Sequence, residues 1–311
     1  MNVDSTGNDE LQALALAAAD HLDHTAVDWE TVHSSACLIR QQFRYDYTGP
    51  IRNLHQRLVI VPPERHGDQR LVTHRLEVSS PTTELRREID RFGNLVVTIM
   101  VDHVASAIDF LAWIVVERER SGRPVTVPDD LAMSNVFREH SPLATPDGVL
   151  TEVARTLAAE WDDPASLAEA INQWVYREMT YVSGSTGVKT TAAEAFAQRS
   201  GVCQDYAHVM LAICRACGIP ARYVSGHLLG EGGTHAWVEA LLPEPDHLAR
   251  LHARAFDPTH GREPGLSYVT VATGRDYGDV APTSGSYVST HGGQLTATKH
   301  AGLTAVTYLT D

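Results

Sequence analysis

The segment from Gly201 to Pro220 constrains this chain more than any other, because it predicts a buried helix that begins beside a cysteine. Apolar side chains repeat along it at i, i+3, i+4 and i+7: Ala207, Met210, Leu211 and Cys214. Gly218 and Pro220 end the helix, and Ser200-Gly201 sets its start. Cys203 therefore lies in the first turn. There the unpaired N–H groups and the helix dipole favour a thiolate, so the sequence predicts a reactive thiol.

A nucleophilic cysteine needs a base and a group that orients the base, and two downstream segments supply both. His235 lies in the strand-like segment Thr234–Glu239, whereas Asp257 lies at a strand end that Pro258 fixes. If His235 is on a strand, Trp237 shares its face and helps to exclude water.

Three segments, GVCQDYAHVMLAICRACGIPARYVSG, THAWVE and FDPT, resemble the core of the bacterial transglutaminase-like cysteine enzyme superfamily. The resemblance implies a papain-like scaffold and a Cys-His-Asp triad, with Cys203 as nucleophile, His235 as base and Asp257 as orienter. Upstream, Tyr45-Asp46-Tyr47 and Asp90-Arg91-Phe92-Gly93-Asn94 resemble the β-domain that often precedes this core.

Composition narrows the function classes. The 311 residues suggest roughly two domains, and a net charge of −14 argues against a nucleic-acid partner. The longest apolar stretch, Val104 to Val116, is interrupted by Asp109, so we expect no membrane span. The acidic start lacks the basic residues of a signal peptide, and the four cysteines do not suggest a disulfide framework. We therefore expect a reduced, cytoplasmic protein.

The chain divides into four parts, and together they predict an α+β fold. Residues 1–35 form an acidic lead that can be helical after Asn8, with Leu11, Leu14, Ala18 and Leu22 on one face. Residues 36–120 alternate with period two and predict an antiparallel β-sandwich, with a hairpin turn at Gly93-Asn94. Residues 121–147, which are rich in Pro, Gly and Ser, form a linker. Residues 148–311 form the transglutaminase-like catalytic domain, in which we expect all the chemistry to reside.

Within the catalytic domain, local signals predict helices at Val149–Trp161, after the cap Asp163 with Pro164, and after the capping box Thr191–Glu194. Antiparallel strands are predicted after the cysteine helix, at Ala221–Leu229, Thr234–Leu242 and Arg254–Asp257. The tail from Tyr268 onward is interpreted as strands that finish the same sheet.

Several side chains near the triad are candidates for other roles. Tyr181, Trp237 and His227 are predicted to contact substrate, and the loop Tyr181–Gly187 is the candidate region for a second oxyanion donor. His208 and His260 compete with His235 as bases but are more simply explained as core or rim histidines. Glu239 is the alternative orienter. Cys214 and Cys217 form a C-x-x-C, which we interpret as core packing because no second ligand pair for zinc exists. We expect no metal and no cofactor.

The predicted reaction is acyl transfer through a thioester on Cys203. Hydrolysis of an amide or peptide bond, as in a cysteine peptidase or amidase, is the expected outcome, with a peptide, protein or small amide as substrate. The alternative is a transglutaminase or another amide-forming acyltransferase. A non-catalytic binding module is a second alternative, disfavoured because all three triad positions are filled.

Overall fold

Strands make up most of this protein. The computed structural model describes residues 2–3, 22–244 and 247–309, with the backbone alone for 2–3 and 247–249. It is 47% strand and 21% helix. The helix predicted after Asn8 lies outside the described residues, apart from Leu22, which forms an isolated bridge with Leu303.

The strands, in chain order, are β1 (Asn2–Val3), β2 (Val32–Tyr47), β3 (Ile51–Val61), β4 (Arg65–His66), β5 (Gln69–Val78), β6 (Glu84–Ile89), β7 (Leu95–Val104), β8 (Ala107–Glu119), β9 (Val125–Thr126), β10 (Thr180–Tyr181), β11 (Ser200–Gly201), β12 (Ala221–Leu228), β13 (His235–Glu244), β14 (His247–Phe256), β15 (Tyr268–Gly274), β16 (Thr283–Val288) and β17 (Gly293–Tyr308). The α-helices of the described residues are α1 (Asp129–Met133), α2 (Gly148–Ala158), α3 (Pro164–Glu178), α4 (Ala192–Gln198), α5 (Cys203–Ala216) and α6 (Tyr277–Val280), and a 3-10 turn covers His24–Ala26.

Two antiparallel sheets form the N-terminal half. Sheet I has the order β1-β5-β8-β2-β17 with β4 beside β5, and sheet II has the order β16-β3-β7-β6. Apolar residues of both sheets, such as Ile39 and Phe110 from sheet I and Leu58 and Ile99 from sheet II, belong to one buried core. The period-two pattern thus predicted these strands correctly, and the turn at Gly93 joins β6 to β7 as expected.

The last two strands differ from the prediction. β15 joins the sheet of the core, but β16 pairs with β3 and β17 pairs along the whole length of β2. The expectation that the whole tail finishes the core sheet is therefore wrong. β17 places Leu303 in the buried core of the N-terminal sheets, and its backbone satisfies the outer edge of β2, which would otherwise lack a partner in sheet I.

The central helix α5 packs on a third sheet, which has the order β15-β12-β13-β14-β9 and antiparallel pairing throughout. Met210 and Leu211 of α5 share a core with Val238 and Ala240 of β13. The predicted caps are present: Asp163 accepts a hydrogen bond from Ser166 N–H at 2.8 Å, and Thr191–Glu194 form a capping box. The helix α2 ends at Ala158, three residues before the predicted Trp161.

The segment 121–147 has more structure than its composition suggested. It contributes β9 to the edge of the third sheet and the short helix α1. Val127, Leu131 and Phe137 are buried against Leu241 and Leu251. This packing orders a segment that proline and glycine content marked as a linker.

Side-chain amides join the N-terminal half to the free edge of β15. The Gln69 amide donates to Thr270 C=O and accepts from Thr270 N–H, both at 2.8 Å. The Asn94 amide makes the same two bonds with Thr273, also at 2.8 Å. Each amide thus bonds to a backbone N–H and a C=O that a neighbouring strand would otherwise satisfy. Buried backbone groups at the edge of a sheet need such partners. No helix in the described part of the chain is both long and apolar enough to cross a membrane.

We predict that Gln69→Ala destabilises the protein by about 2–6 kcal/mol, because two buried backbone groups of Thr270 each lose a partner at ~1–3 kcal/mol. Urea denaturation measures the change. The exposed Gln198→Ala is the matched control and should change the free energy of unfolding by less than about 0.5 kcal/mol. Equal, small effects of both variants would contradict the bridging role of Gln69.

Candidate active site

Cys203 is the first residue of α5, as the sequence predicts. The helix start is fixed by the buried carboxylate of Asp205, which accepts hydrogen bonds from Val202 N–H at 2.8 Å and from Thr186 Oγ1 at 2.6 Å. A Cβ on Gly201 would lie 2.6 Å from Asp205 Oδ2, so only glycine allows this close approach. The N–H groups of the first turn are therefore presented beside the Cys203 thiol.

His235 begins β13, and its Nε2 donates to Asp257 Oδ2 at 2.8 Å. Asp257 follows directly after β14 and is completely buried. The same Oδ2 accepts from Tyr268 Oη at 2.7 Å and from His260 Nδ1 at 2.8 Å. Three donors therefore converge on one carboxylate oxygen. The structure brings together the predicted base and orienter and adds two partners that the sequence did not reveal.

The second imidazole nitrogen of His235, Nδ1, lies beside the carboxylate of Glu231. Nδ1 lies 3.1 Å from Glu231 Oε2, although the two atoms are not aligned as a hydrogen bond. Burial lowers the pKa of His235, but interactions with Asp257, the Cys203 thiol and Glu231 outweigh burial and raise this pKa well above its ordinary value. The imidazole is therefore held in its protonated form beside Cys203.

Hydrogen bonds and nearby charges shift the pKa values of the groups around His235. Burial alone would raise the pKa of Asp257. Hydrogen bonds from His235 and His260 oppose burial, and the pKa of Asp257 lies well below its usual range as a result. Hydrogen bonds to Asp257 and Glu231 raise the pKa of His260 to about 9. Glu231 accepts this second contact at 3.1 Å from His260 Nε2 and is 39% exposed. The site thus contains two histidines that share two carboxylates.

Trp237 lies behind the imidazole, with ring centroids 6.1 Å apart and nearly parallel planes. Gly226 is the strand neighbour of His235, and a Cβ there would come within 2.4 Å of the indole. The missing side chain lets the Trp237 ring lie across β12. Trp237 is only 1% exposed, so it keeps water from the back of His235, as its place on the strand predicted.

The three predicted substrate contacts have different surroundings. Tyr181 is 55% exposed, and β10 places it parallel to β11, directly before Cys203. Burial and, to a smaller extent, the charge of Cys203 raise the pKa of Tyr181. His227, like Trp237, is 1% exposed. Substrate contact stays a prediction for all three residues, and Tyr181 is the one with a free surface.

The competing residues belong to other parts of the fold. His208 is completely buried, and its Nε2 accepts from Tyr277 N–H at 3.2 Å. Burial lowers the pKa of His208 to about 4, which describes a neutral core histidine. Glu239 binds Arg222 and His66, each at 2.7 Å. It therefore links β13 to β12 and β4 and does not orient His235.

The other three thiols are poor nucleophiles. Burial raises the pKa of Cys37 to about 12, of Cys217 to about 11 and of Cys214 still higher. The Cys217 thiol donates to Ala154 C=O at 3.3 Å, and Cys214 is part of the core. This packing agrees with the interpretation of the C-x-x-C as core.

One group of side chains in the described residues lies close enough to hold a metal ion. The ligand atoms of His235, Asp257 and His260 are all within 4.8 Å of one another. Asp257 already hydrogen bonds to both histidines at 2.8 Å, so we interpret the group as a hydrogen-bond network.

Sequence reasoning missed Glu231, Asp205, Tyr268 and Lys299. Glu231 lies in the glycine-rich turn before His235, between Gly230 and Gly232, both with positive φ. Lys299 of β17 places its Nζ 3.4 Å from Thr234 Oγ1, directly before His235. The N-terminal sheets therefore border the site, which the expectation of a self-sufficient catalytic domain did not include.

Two family models match this chain. The model of the Transglutaminase-like superfamily matches residues 151–248, and the model of the Bacterial transglutaminase-like N-terminal region matches residues 37–117. An uncharacterized protein of Mycobacterium leprae is 31% identical over 242 residues, covering 72% of this chain and 84% of that protein. An uncharacterized protein of Mycobacterium tuberculosis is 27% identical over 286 residues, covering 79% and 86%. The chain belongs to the transglutaminase-like superfamily.

A solved structure supports the fold. A protein from Cytophaga hutchinsonii that is described as a proposed cysteine protease matches with a TM-score of 0.65 and 23% identity, covering 87% of this chain and 98% of that one. At this identity the likeness shows the fold alone. Members of the superfamily are typically enzymes.

We predict that Cys203 is the one fast-reacting thiol of the four. Iodoacetamide at neutral pH, followed by peptide mapping, should label Cys203 first, because burial disfavours the thiolate at Cys37, Cys214 and Cys217. Cys214→Ala should leave the labelling rate unchanged, whereas Cys203→Ala should abolish fast labelling. Preferential labelling of Cys214 or Cys217 would contradict the assignment.

His260 should make stability depend on pH. Its folded pKa of about 9 lies above the ordinary 6.5, so its protonation stabilises the fold fully below pH 6.5 and loses this effect as pH rises through 9. The difference in Tm between wild type and His260→Gln should therefore be largest below pH 6.5 and shrink toward pH 9. A difference that is constant over this range would show that His260 is not held protonated by Asp257 and Glu231.

Proposed function

We propose that this protein is a thiol-dependent acyl-transfer enzyme, with a papain-like core beside an N-terminal β-sandwich. The observation that carries the proposal is the bond of 2.8 Å between His235 Nε2 and Asp257 Oδ2, which leaves Nδ1 without a hydrogen-bond partner among the described residues. This arrangement gives each of the three side chains a distinct role in nucleophilic catalysis.

In the proposed reaction, the thiol proton of Cys203 already lies on His235, and the thiolate attacks the carbonyl carbon of an amide. The oxyanion that forms is stabilised by backbone N–H groups of the first turn of α5. Collapse breaks the C–N bond, and His235 returns the proton to the leaving amine. The thioester then remains on Cys203. Asp257 keeps the imidazole in the tautomer and orientation that both transfers need.

Water is the proposed second substrate, so the protein would act as a cysteine peptidase or amidase. Cys203 is partly exposed, and the residues around the entrance, Tyr181, Val182 and Glu231, are between 39% and 55% exposed. An open entrance gives water access to the thioester, whereas transfer to an amine favours a site that excludes water. The substrate would be a peptide, a protein or a small amide.

A transglutaminase reaction is the second candidate, because one relative carries that activity in its name. Residues of this chain are 34% identical over 126 residues to a Protein-glutamine gamma-glutamyltransferase of Pseudomonas aeruginosa, a match that covers 34% of this chain and 18% of that protein. The same three side chains serve this reaction, with a primary amine in place of water. A non-catalytic module is disfavoured because all three proposed catalytic positions are filled.

Partitioning of the acyl-enzyme tests the proposal. We expect an activated acyl ester, supplied with increasing primary amine, to give mostly free acid at low millimolar amine, as separated by liquid chromatography. Cys203→Ala should abolish turnover, while the matched thiol variant Cys214→Ala retains it. A product that is mostly amide would make this an amide-forming enzyme, and turnover that survives Cys203→Ala would refute the thioester route.

A further inference from the structure

An ammonium group from the C-terminal strand reaches the edge of the active site. Lys299 pairs with Gln41 in the register of β17 and β2, and paired residues share a face of the sheet, so Lys299 points inward. Its Nζ lies 3.4 Å from Thr234 Oγ1 and 5.4 Å from the centre of the Phe43 ring. Since Thr234 directly precedes His235, the ammonium lies beside the catalytic strand.

This ammonium has no carboxylate partner among the residues that the structure describes, and it contacts a hydroxyl group and the face of an aromatic ring. Burial lowers the pKa of Lys299 to about 8, and the negative charge of Cys203 is what opposes this shift. A largely buried cation without an anion is unfavourable, so this position favours an anion supplied from outside the chain.

A second polar group at the same corner also lacks a partner. His227 Nδ1 lies 3.0 Å from Gly233 C=O, and the carbonyl can only accept, so this nitrogen donates. Burial and the charge of Lys299 are among the influences that lower the pKa of His227 to about 4, which leaves Nε2 as an acceptor. Nε2 is buried and has no hydrogen-bond partner in the described part of the molecule. Lys299 and His227 thus flank Gly233 and Thr234: the ammonium can bind an anion, whereas the Nε2 acceptor can take an N–H or O–H of the same ligand.

We propose that Lys299 binds a carboxylate of the substrate, so that the enzyme selects substrates that carry an acidic group near the scissile carbonyl. This inference rests on the proposed function of Cys203. Carboxylates are the anions that ammonium groups bind most often in proteins, and a charge-assisted bond in a partly buried site discriminates strongly against a neutral analogue. A residue of β17, which belongs to sheet I, would then set specificity from outside the sheet that carries His235.

The rival explanation is that Lys299 serves the Cys203 thiolate itself. The two roles differ in what they change. A residue that stabilises the thiolate alters the reactivity of Cys203 toward every electrophile alike. A residue that binds a carboxylate changes only the reaction with electrophiles that carry one.

Alkylation of Cys203 with matched reagents separates these roles. Iodoacetate and iodoacetamide differ by one charge, and N-iodoacetylglycine and its amide carry the same difference farther from the reacting carbon. In each case the thiolate forms an S–C bond and iodide leaves. The rates are measured at about pH 7, where a lysine of this kind is mostly protonated, on wild type, Lys299→Met, Lys299→Gln and Lys299→Arg.

For at least one reagent pair we expect Lys299→Met and Lys299→Gln to lower the ratio of the charged to the neutral rate by about fivefold or more, with the neutral rate changed by less than about twofold. Lys299→Arg should retain most of the ratio. Lys189→Met is the matched control, because Lys189 is the other lysine of the chain and is exposed. It removes the same charge and should leave the ratio unchanged.

Two results would overturn the carboxylate site. One is an unchanged ratio in every folded Lys299 variant, with folding checked by circular dichroism. The other is an equal loss of rate for charged and neutral reagents, which would assign Lys299 to the thiolate. Both leave the acyl-transfer proposal intact, because alkylation needs no acyl chemistry. Absence of Cys203 labelling in wild type would instead count against the proposed function.

Discussion

The buried carboxylate of Asp257 is the interaction on which the geometry of the site depends. Its Oδ2 accepts from His235 of β13, from Tyr268 of β15 and from His260 in the loop after β14. A carboxylate without solvent is strongly unfavourable unless donors and positive charge surround it. Satisfying Asp257 therefore brings three separate chain segments to one point, and His235 is oriented as a consequence. The thiol needs only a helix that starts at the same point, which α5 supplies.

The N-terminal half is a structural part of this arrangement. Its amides, at Gln69 and Asn94, complete the edge of β15, the strand that begins with Tyr268. His66 joins Arg222 on Glu239, two positions beyond Trp237 on β13. These buried contacts hold the two strands that carry the partners of Asp257. A rigid support of this kind is what keeps catalytic side chains within the narrow geometry that reaction requires.

Local features could be predicted from the sequence, whereas partners distant in the chain could not. The glycine at the start of α5, the apolar periodicity and the C-terminal cap all lie within twenty residues, so α5 could be predicted. The resemblance to the superfamily located His235 and Asp257. The Thr, Val, Tyr and Gly content of the tail predicted strands there but could not choose between the edges of two sheets, because composition does not specify a neighbouring strand. Glu231 and Lys299 carry no motif, since their role arises only when a turn and a strand meet beside Cys203. The prediction of a linker at residues 121–147 was based on composition, which does not show that Val127, Leu131 and Phe137 are buried.

The charges around Cys203 indicate how Lys299 would act during the proposed reaction. Protonated His235, His260 and Lys299 supply three positive charges, while Asp257 and Glu231 supply two negative ones, and the thiolate of the proposed reaction would complete the balance. Formation of the thioester removes the charge of the thiolate, and His235 loses its positive charge when its proton leaves with the amine. Lys299 keeps its charge and has no carboxylate partner among the described residues, so a carboxylate on the acyl group would pair with it before and after acylation. An acidic acyl group would therefore stabilise the bound substrate and the acyl-enzyme alike, because the charge of Lys299 does not change during the reaction.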